Sequence, residues 1–189
     1  MSVDRGRGFK SKTDWLETGL RILSEGGVDR VKVDILARSL GVARSGFYWH
    51  FGNRSNFLGQ LIDYWGVYST GQVLSDPGLP DLEPRDRLMA IARAVRDDKL
   101  AKYDLAVRNW AVTDENAETV VRDVYRRRRE FISGIFRELG FEGAANDARV
   151  SLFVCFQTWN TFTFLESGPQ SDDALAAQID LMVTDGTIC

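Results

Sequence analysis

The sequence predicts an all-α protein with an N-terminal three-helix domain over residues 1–60 and a C-terminal helical bundle over residues 61–189. Two observations support this prediction. Apolar residues recur at three- and four-residue spacing along most of the chain, which is typical of amphipathic helices. The one stretch with an ambiguous pattern, residues 150–164, is rich in Val and Phe, but its length favours a buried helix over a strand.

The composition is that of a globular protein. The 189 residues are 44% apolar and 27% charged, which is sufficient for a core without disulfide or metal support. No run approaches the roughly 20 apolar residues that a membrane helix needs. The N-terminus lacks the apolar segment of a signal peptide, so we expect a cytoplasmic protein with no membrane partner.

The two cysteines, Cys155 and Cys189, do not make a disulfide framework. Cys155 lies in an apolar stretch, so the simplest interpretation is a small core hydrophobe. A redox-sensing thiol is the alternative.

The net charge of −3 hides an asymmetry. Residues 1–60 carry ten Lys and Arg against six Asp and Glu, whereas residues 61–189 carry fourteen against twenty-one. A basic head on an acidic body is typical of a protein that touches nucleic acid with one end only.

The head is predicted to begin with a helix over residues 13–25, capped by Ser11 or Thr13 and ended by two glycines. Two shorter helices joined by a tight turn follow. Gly41 can supply the positive φ that such a turn requires, and Ala37 is small enough to face the partner helix.

The helix after the turn, residues 43–51, alternates polar groups with anchoring side chains such as Phe47 and Phe51. A recognition helix needs one face buried and the other free to enter a major groove. The pattern therefore predicts a helix-turn-helix that binds double-stranded DNA.

The motif GVARSGFYWHFGNRSNFL at residues 41–58 closely resembles the signature of the TetR/AcrR transcription regulators, approximately GVSxGTLYxHFxSKExL. The residues that match directly are Gly41, Val42, Tyr48, His50, Phe51 and Leu58. The resemblance implies a homodimeric regulator with a DNA-binding head, and a body that binds a small-molecule effector and the second subunit.

The resemblance also implies DNA contacts. Tyr48 and His50 match the phosphate-contacting pair of the family, and Arg54 stands where its backbone-clamping lysine usually lies. From the residues themselves, Arg44 and Ser45 are the candidates for base edges, because an arginine can pair bidentately with guanine.

Three further DNA-binding candidates carry alternatives. Gly46 replaces the family's threonine, and its backbone could approach the DNA closely or contact a thymine methyl. Trp49 could stack on the DNA backbone or anchor the core. The basic N-terminal arm, with Arg5 and Arg7, could enter a minor groove or be a solvated tail.

The remaining elements are also predicted to be helical. Asn53 is the candidate N-cap of a fourth helix that continues to about Leu74, and SDPGLPDLEP at residues 75–84 is the clearest linker. The further predicted helices are Arg85–Lys99, Lys102–Val112, Asn116–Leu139, Ala144–Glu166 and Asp172–Thr184.

Arg128 is the informative residue of the body. Helical spacing places it on an apolar stripe between Val124 and Phe131, so we expect it to be partly buried and to need a partner. The partner could be an Asp or Glu of a neighbouring helix, or an anionic or carbonyl-bearing effector. Aromatic and polar residues around Arg128 are predicted to line an effector pocket, although core packing explains the aromatic ones equally well. The predicted pocket residues are Tyr103, Trp110, Tyr125, Arg128, Phe153, Gln157, Asn160 and Phe164.

Apolar faces on the last two helices predict an intersubunit four-helix bundle, an arrangement that resembles that of the family. A monomer would also bury such faces, so the sequence alone leaves both possibilities. The predicted dimerisation residues are Leu152, Phe156, Trp159, Phe162, Leu175, Ile179, Met182 and Val183.

The inventory of reactive groups argues against an enzyme. His50 is the only histidine and lies inside the DNA-binding motif, and the chain has no glycine-rich phosphate loop. We therefore predict no cofactor and no metal site. The leading hypothesis is a repressor released from a palindromic operator by an effector, and the alternative is a DNA-binding protein whose body is a protein-interaction or dimerisation scaffold.

Overall fold

The computed structural model describes residues 10–97, 100–159 and 170–184, and all regular elements in these ranges are helical. The all-α prediction is therefore confirmed. The helices are α1 (Lys12–Gly26), α2 (Val33–Leu40), α3 (Arg44–Phe51), α4 (Arg54–Leu74), α5 (Pro84–Asp97), α6 (Asp104–Ala111), α7 (Glu115–Glu138), α8 (Gly143–Trp159) and α9 (Asp172–Val183). Short 3-10 turns lie at Val28–Arg30 and Leu79–Asp81.

The chain divides into two compact units. Unit 1 comprises Met1–Gly66 and Leu105–Val121, and unit 2 comprises Val67–Asp104 and Arg122–Cys189. The first unit thus takes in residues of α6 and α7 that follow the predicted head in sequence, and the boundary predicted after residue 60 stays a proposal.

Unit 1 starts from a well-capped helix. The Ser11 hydroxyl accepts the backbone N–H of Asp14 over 3.1 Å, and the Asp14 carboxylate accepts the backbone N–H of Ser11 over 2.8 Å. These two reciprocal bonds form a capping box, which satisfies two backbone donors at the start of α1. The buried face of α1 then packs Trp15, Leu20 and Leu23 into the core.

The turn between α2 and α3 depends on Gly41, whose φ of +68° lies in the left-handed region. After Gly41 the chain turns, and the Val42 N–H donates a hydrogen bond to the Ala37 carbonyl over 3.0 Å. This bond closes the turn that separates α2 from α3, as the helix-turn-helix prediction requires.

Unit 2 contains a core built mainly by α5, α7, α8 and α9. Packing of α5 against α9 is reinforced by Arg93 and Arg96, which both pair with Asp172 over 2.8 Å. Leu79 is buried in the same core, so the segment predicted as a linker is a packed part of this unit.

Cys155 is exposed on α8, and its predicted place in the core is wrong. The apolar composition of the segment misled the prediction, because Phe153 on the opposite side of α8 fills the core position instead.

Candidate functional site

The recognition helix α3 is held by an aromatic cluster on its inner face. Phe47 is fully buried, with its ring centroid 5.6 Å from that of Trp15 and 5.2 Å from those of Phe51 and Phe57. Such edge-to-face and tilted pairs add to the burial of the rings themselves. Because Phe47 and Phe51 point inward from a helix of only eight residues, the residues between them are presented outward.

Tyr48 and Trp49 lie on that outer face, with 53% and 71% of their surface exposed. The core-anchor interpretation of Trp49 is therefore excluded, and one of its contacts is an edge-on approach to the His50 ring at 4.6 Å. Two adjacent exposed aromatic side chains on a rigid helix are available to an external partner.

Arg44 is the first residue of α3, and it points outward with its guanidinium paired to Asp34 of α2 over 2.9 Å. Both side chains are about two-thirds exposed, at 66% and 63%. Exposed pairs of this kind contribute only about 0–1 kcal/mol, so Arg44 can exchange Asp34 for another partner at small cost.

His50 connects the outer face to the chain segment before α1. Its Nε2 lies 2.9 Å from the backbone carbonyl oxygen of Lys10. Since a carbonyl can only accept, Nε2 carries the proton and donates it to this bond. The imidazole is thus fixed against the base of the N-terminal arm.

Arg54 has a structural role that the sequence did not indicate. Its Nε and Nη2 each donate over 2.8 Å to the carbonyl oxygens of Val31 and Val28, which precede α2. The neighbouring Asn53 caps α4 as predicted, because its side-chain oxygen accepts the backbone N–H of Asn56 over 2.8 Å. The predicted phosphate contact of Arg54 stays a prediction.

Ser45 is exposed beside Arg44 on α3, whereas Gly46 is half-buried at the back of the helix start. A Cβ at Gly46 would lie 3.5 Å from Cζ2 of Trp15, which is ordinary van der Waals contact. A threonine at this position, as in the family signature, would therefore meet the α1 tryptophan. Arg5 and Arg7 lie outside the described residues.

Residues 16–61 match the family model described as bacterial regulatory proteins, tetR family, and this range contains the helix-turn-helix and its aromatic cluster. The N-terminal helix-turn-helix domain is therefore of the tetR family of bacterial regulatory proteins.

Solved structures show that the likeness in fold extends over nearly the whole chain. A transcriptional regulator from Rhodococcus sp. Rha1 has a TM-score of 0.68 at 15% identity, with 92% of this chain and 94% of that chain covered. A TetR family transcriptional regulator from Thermus thermophilus has a TM-score of 0.67 at 19% identity, with 89% and 96% covered.

A third solved structure, a regulator from Saccharomonospora viridis in complex with choline, has a TM-score of 0.65 at 16% identity, with 93% and 96% covered. No curated protein sequence matches the chain. At these identities the structures show that the chain shares the fold of these regulators.

In unit 2, Arg128 pairs with Asp104, the first residue of α6. The Arg128 Nη1 lies 2.6 Å from the carboxylate Oδ2, and Asp104 is fully buried while the arginine side chain is 17% exposed. Tyr125 adds a hydroxyl 3.4 Å from the same carboxylate, and its ring centroid lies 5.2 Å from the guanidinium carbon. The predicted burial of Arg128 and its carboxylate partner on a neighbouring helix are both confirmed.

The other residues predicted for an effector pocket are distributed over different surroundings. Trp110 belongs to unit 1, while Phe153 is 2% exposed in the core of unit 2. Gln157 is half-buried on α8, and Asn160 and Phe164 lie outside the described residues. Arg128 and Tyr125 are thus the predicted pocket residues that the structure brings together, with Asp104.

Tyr103 stands in a small cluster of its own within unit 2. Its ring centroid lies 4.6 Å from the Lys102 ammonium, and that of Tyr68 lies 5.7 Å from the same group. Burial alone would lower the pKa of Lys102, but hydrogen bonding and the charge interactions with the two tyrosines outweigh it and raise that pKa. The arrangement is a cation–π contact that orders the segment before α6.

The predicted dimerisation residues separate into two groups. Leu175, Ile179 and Met182 are buried in the core of their own unit, so they offer no surface to a second copy. Leu152 and Phe156 on α8 are 50% and 36% exposed. Val183 is half-buried against the core, and the Trp159 side chain and Phe162 lie outside the described residues.

Two functional partners were missed by sequence reasoning. Asp34 lies ten positions before Arg44, and Asp104 lies 24 positions before Arg128, so neither pair shares a helix. The only signal in the sequence was the predicted burial of Arg128, which requires an acid without specifying which one.

No helix in the described ranges is both long and apolar enough to cross a membrane. Within the same ranges, no three potential metal ligands of the His, Cys, Asp and Glu types lie together.

Proposed function

We propose that this tetR-family regulator is a homodimeric one-component repressor that binds a palindromic operator through α3 and leaves it when a small molecule binds the body. The observation that carries the proposal is the outer face of α3. Arg44, Ser45 and Tyr48 are exposed there, on a helix whose opposite side is anchored by buried phenylalanines.

Within this proposal the contacts divide by type. Arg44 and Ser45 read base edges, since Arg44 exchanges Asp34 for guanine. Tyr48, Trp49 and His50 contact phosphates or the sugar backbone. Gly46 lets the backbone of α3 approach the major groove closely. Arg54 adds positive charge near the DNA backbone, and the arm residues Arg5 and Arg7 enter a minor groove.

Dimerisation is proposed because one head of this size makes too few contacts for a specific site. Helix-turn-helix dimers place their recognition helices about 34–36 Å apart, one helical turn of DNA. The exposed apolar side chains Leu152 and Phe156 of α8, with Leu181 of α9 at 81% exposure, offer a surface for the second copy. The buried residues of α9 support that surface from beneath.

The effector is proposed to engage the ion pair of Arg128 and Asp104. A carbonyl-bearing molecule is compatible with the pair, because a guanidinium carries five N–H donors and the Arg128 side chain is 17% exposed. A carboxylate effector would have to compete with the buried carboxylate of Asp104. The structure of the Saccharomonospora viridis regulator with choline supports the idea that bodies of this fold accept small molecules.

Release requires that the effector favour a conformation that the operator disfavours, with a coupling of about 1–3 kcal/mol. Asp104 begins α6, whose following residues belong to unit 1, and Arg128 lies on α7, which also has residues in unit 1. We propose that a change at the pair alters the separation of the two heads through these helices.

The second candidate function is a DNA-binding protein whose body is a scaffold for dimerisation or protein contacts, with no effector. The ion pair favours this second candidate, because the fully buried Asp104 already supplies the carboxylate that Arg128 needs.

The experiment that separates the two candidates uses fluorescence anisotropy of a labelled operator. A library of carbonyl-bearing molecules is screened for release, and each active molecule is retested on the Asp104→Leu/Arg128→Met double variant. The repressor proposal predicts release from the wild type and none from the double variant that still binds the operator. Equal release from both proteins would contradict the proposed effector site, and no release by any molecule would favour the scaffold.

A further inference from the structure

We propose that a groove in unit 1, formed by the first turns of α4 and the corner between α6 and α7, binds a small organic cation that carries N–H donors. The groove has a volume of about 480 Å³, within the range of small-molecule sites. Its lining residues belong to unit 1, whereas the Arg128 pair belongs to unit 2, so it is a second site and does not depend on the effector site proposed above.

The charge of the groove selects the class of ligand. Asp63 and Asp114 contribute carboxylates, and the amide side chains of Asn56, Gln60 and Asn116 contribute further oxygens. None of the described residues that line the groove is basic. One oxygen of Asp114 already accepts the backbone N–H of Ala117 over 2.9 Å, whereas Asp63 is exposed, so we expect Asp63 to be the main contact of a cation.

Gln60 supplies an independent reason to expect a donor. Its side-chain oxygen is buried, and in the described part of the chain it has no hydrogen-bond partner. A buried carbonyl without a partner is destabilising, so structures seldom retain one without a reason. Gln60 itself lines the groove, and because the terminal amide torsion of glutamine is soft, we expect this oxygen to turn toward a donor bound there.

The floor of the groove is open at Gly59. A Cβ built at this position of α4 meets no atom within 4 Å, so packing does not require the glycine. Glycine inside a helix is less favourable than alanine, and here the space it leaves belongs to the groove. Trp110, only 4% exposed, forms an aromatic wall against which the apolar part of a ligand can pack.

The helix that forms one side of the groove, α4, also packs against α3. Phe57, on the first turn of α4, packs against Phe47 and Phe51 of α3 at centroid distances of 5.2 and 4.8 Å. A molecule held between α4 and Trp110 would therefore brace the helix on which α3 rests.

Benzamidine is the probe for the test, because its planar amidinium carries donors for Asp63 and Gln60 and its ring can face Trp110. Benzyl alcohol, similar in shape but uncharged, is its comparator. Isothermal titration calorimetry on the full chain, without DNA, measures both, so the result is independent of whether an operator is found.

The variants are Asp63→Asn, which removes the charge, and Gly59→Leu, which fills the groove. Gly134→Leu on α7 is the matched control, since a Cβ there also meets nothing within 4 Å. Thermal unfolding checks that each variant is folded.

The proposal predicts saturable binding of one benzamidine per chain, weakened about tenfold by Asp63→Asn, abolished by Gly59→Leu and unchanged by Gly134→Leu. Benzyl alcohol should bind at least tenfold more weakly than benzamidine. The absence of saturable benzamidine binding, equal affinity for the two probes, or undiminished binding to folded Gly59→Leu would each overturn it.

Discussion

Arg128 of α7 and Asp104 of α6 form a buried ion pair, with 2.6 Å between Nη1 and Oδ2. The carboxylate is fully buried and the guanidinium nearly so, so each group depends on the other for its charge to be tolerated. Both residues belong to unit 2, where the pair joins the start of one helix to the middle of another.

Asp104→Ala should destabilise the protein by about 3–5 kcal/mol, because it leaves the Arg128 charge buried without a partner. Asp104→Leu combined with Arg128→Met should recover most of that loss, since two apolar side chains need no partner. Urea unfolding followed by circular dichroism measures both. The control is Arg127→Ala, an exposed member of the same arginine run, which should change stability by less than about 0.5 kcal/mol.

Arg44→Ala should reduce discrimination at one operator base pair by about 1–3 kcal/mol, if the arginine reads a guanine edge. Asp34→Ala should have the opposite effect on affinity, a gain of up to about 1 kcal/mol, because Arg44 no longer has to leave an exposed pair. Competition anisotropy with single-base operator variants separates the two effects. Weakening that is uniform over all operator variants would assign Arg44 to the phosphate backbone instead.

Gly46→Ala should stabilise the protein by up to about 1 kcal/mol, because alanine is the better helix former and its Cβ meets Trp15 at an ordinary distance of 3.5 Å. Operator preference should change at the same time if this position approaches the bases. Thermal unfolding and operator selection measure the two outcomes. A loss of stability would show that the contact with Trp15 is too tight to accept a methyl group.

The stability of α1 should depend on pH through Asp14. Hydrogen bonds from the Ser11 backbone and hydroxyl lower the pKa of Asp14 below its ordinary value of 3.8. As the pH falls, Asp14 is therefore protonated in the unfolded chain before it is protonated in the folded protein. The stabilisation is fully present above the ordinary pKa of 3.8 and is lost as the pH falls through the lowered pKa of the folded protein.

The measurement is the Tm of the wild type and of Asp14→Ala across the acid range. The wild type should unfold at the higher temperature at neutral pH, and the difference should shrink as the pH falls below about 4. A difference that stays constant over this range would mean that the capping box does not depend on the ionised carboxylate.

Leu152→Glu and Phe156→Glu should each convert the proposed dimer to monomer without unfolding it, since both side chains are already partly exposed in the single chain. Val112→Glu, at a side chain that is 82% exposed in unit 1, is the control and should leave the dimer intact. Sedimentation velocity reports the oligomeric state. A wild type that sediments as a monomer would refute the proposed interface.

The sequence predicted the helices well where caps and turns have a local signature. Ser11, Gly41 and Asn53 each act within a few residues of their own position, so their types alone locate α1, the turn and α4. The burial of Arg128 followed from periodicity for the same reason.

Partner choice was not predictable, because it depends on residues that are distant along the chain. Arg54 was assigned to DNA by its place in the motif, whereas its guanidinium also holds the carbonyls of Val28 and Val31. The apolar face of α9 illustrates the same limit: Leu175 and Ile179 could serve a core or an interface equally well until α5 was placed against them.

The groove lined by Gly59 could not be predicted from the sequence either. A glycine in a helix marks a possible close approach or an open space, and only the packing of α4 and Trp110 in unit 1 decides for open space.

The central claim, that α3 reads a specific operator, is tested most directly by selection of DNA from a random library with the full-length protein. The winning sequence is then bound at about 50 and 200 mM salt by the wild type, Arg44→Ala and Tyr48→Phe. We expect a palindrome with half-sites one helical turn apart, which the wild type binds tightly at the lower salt and both variants bind more weakly. The claim would be contradicted if the selection enriched no sequence and the protein bound DNA only weakly, with binding lost at the higher salt.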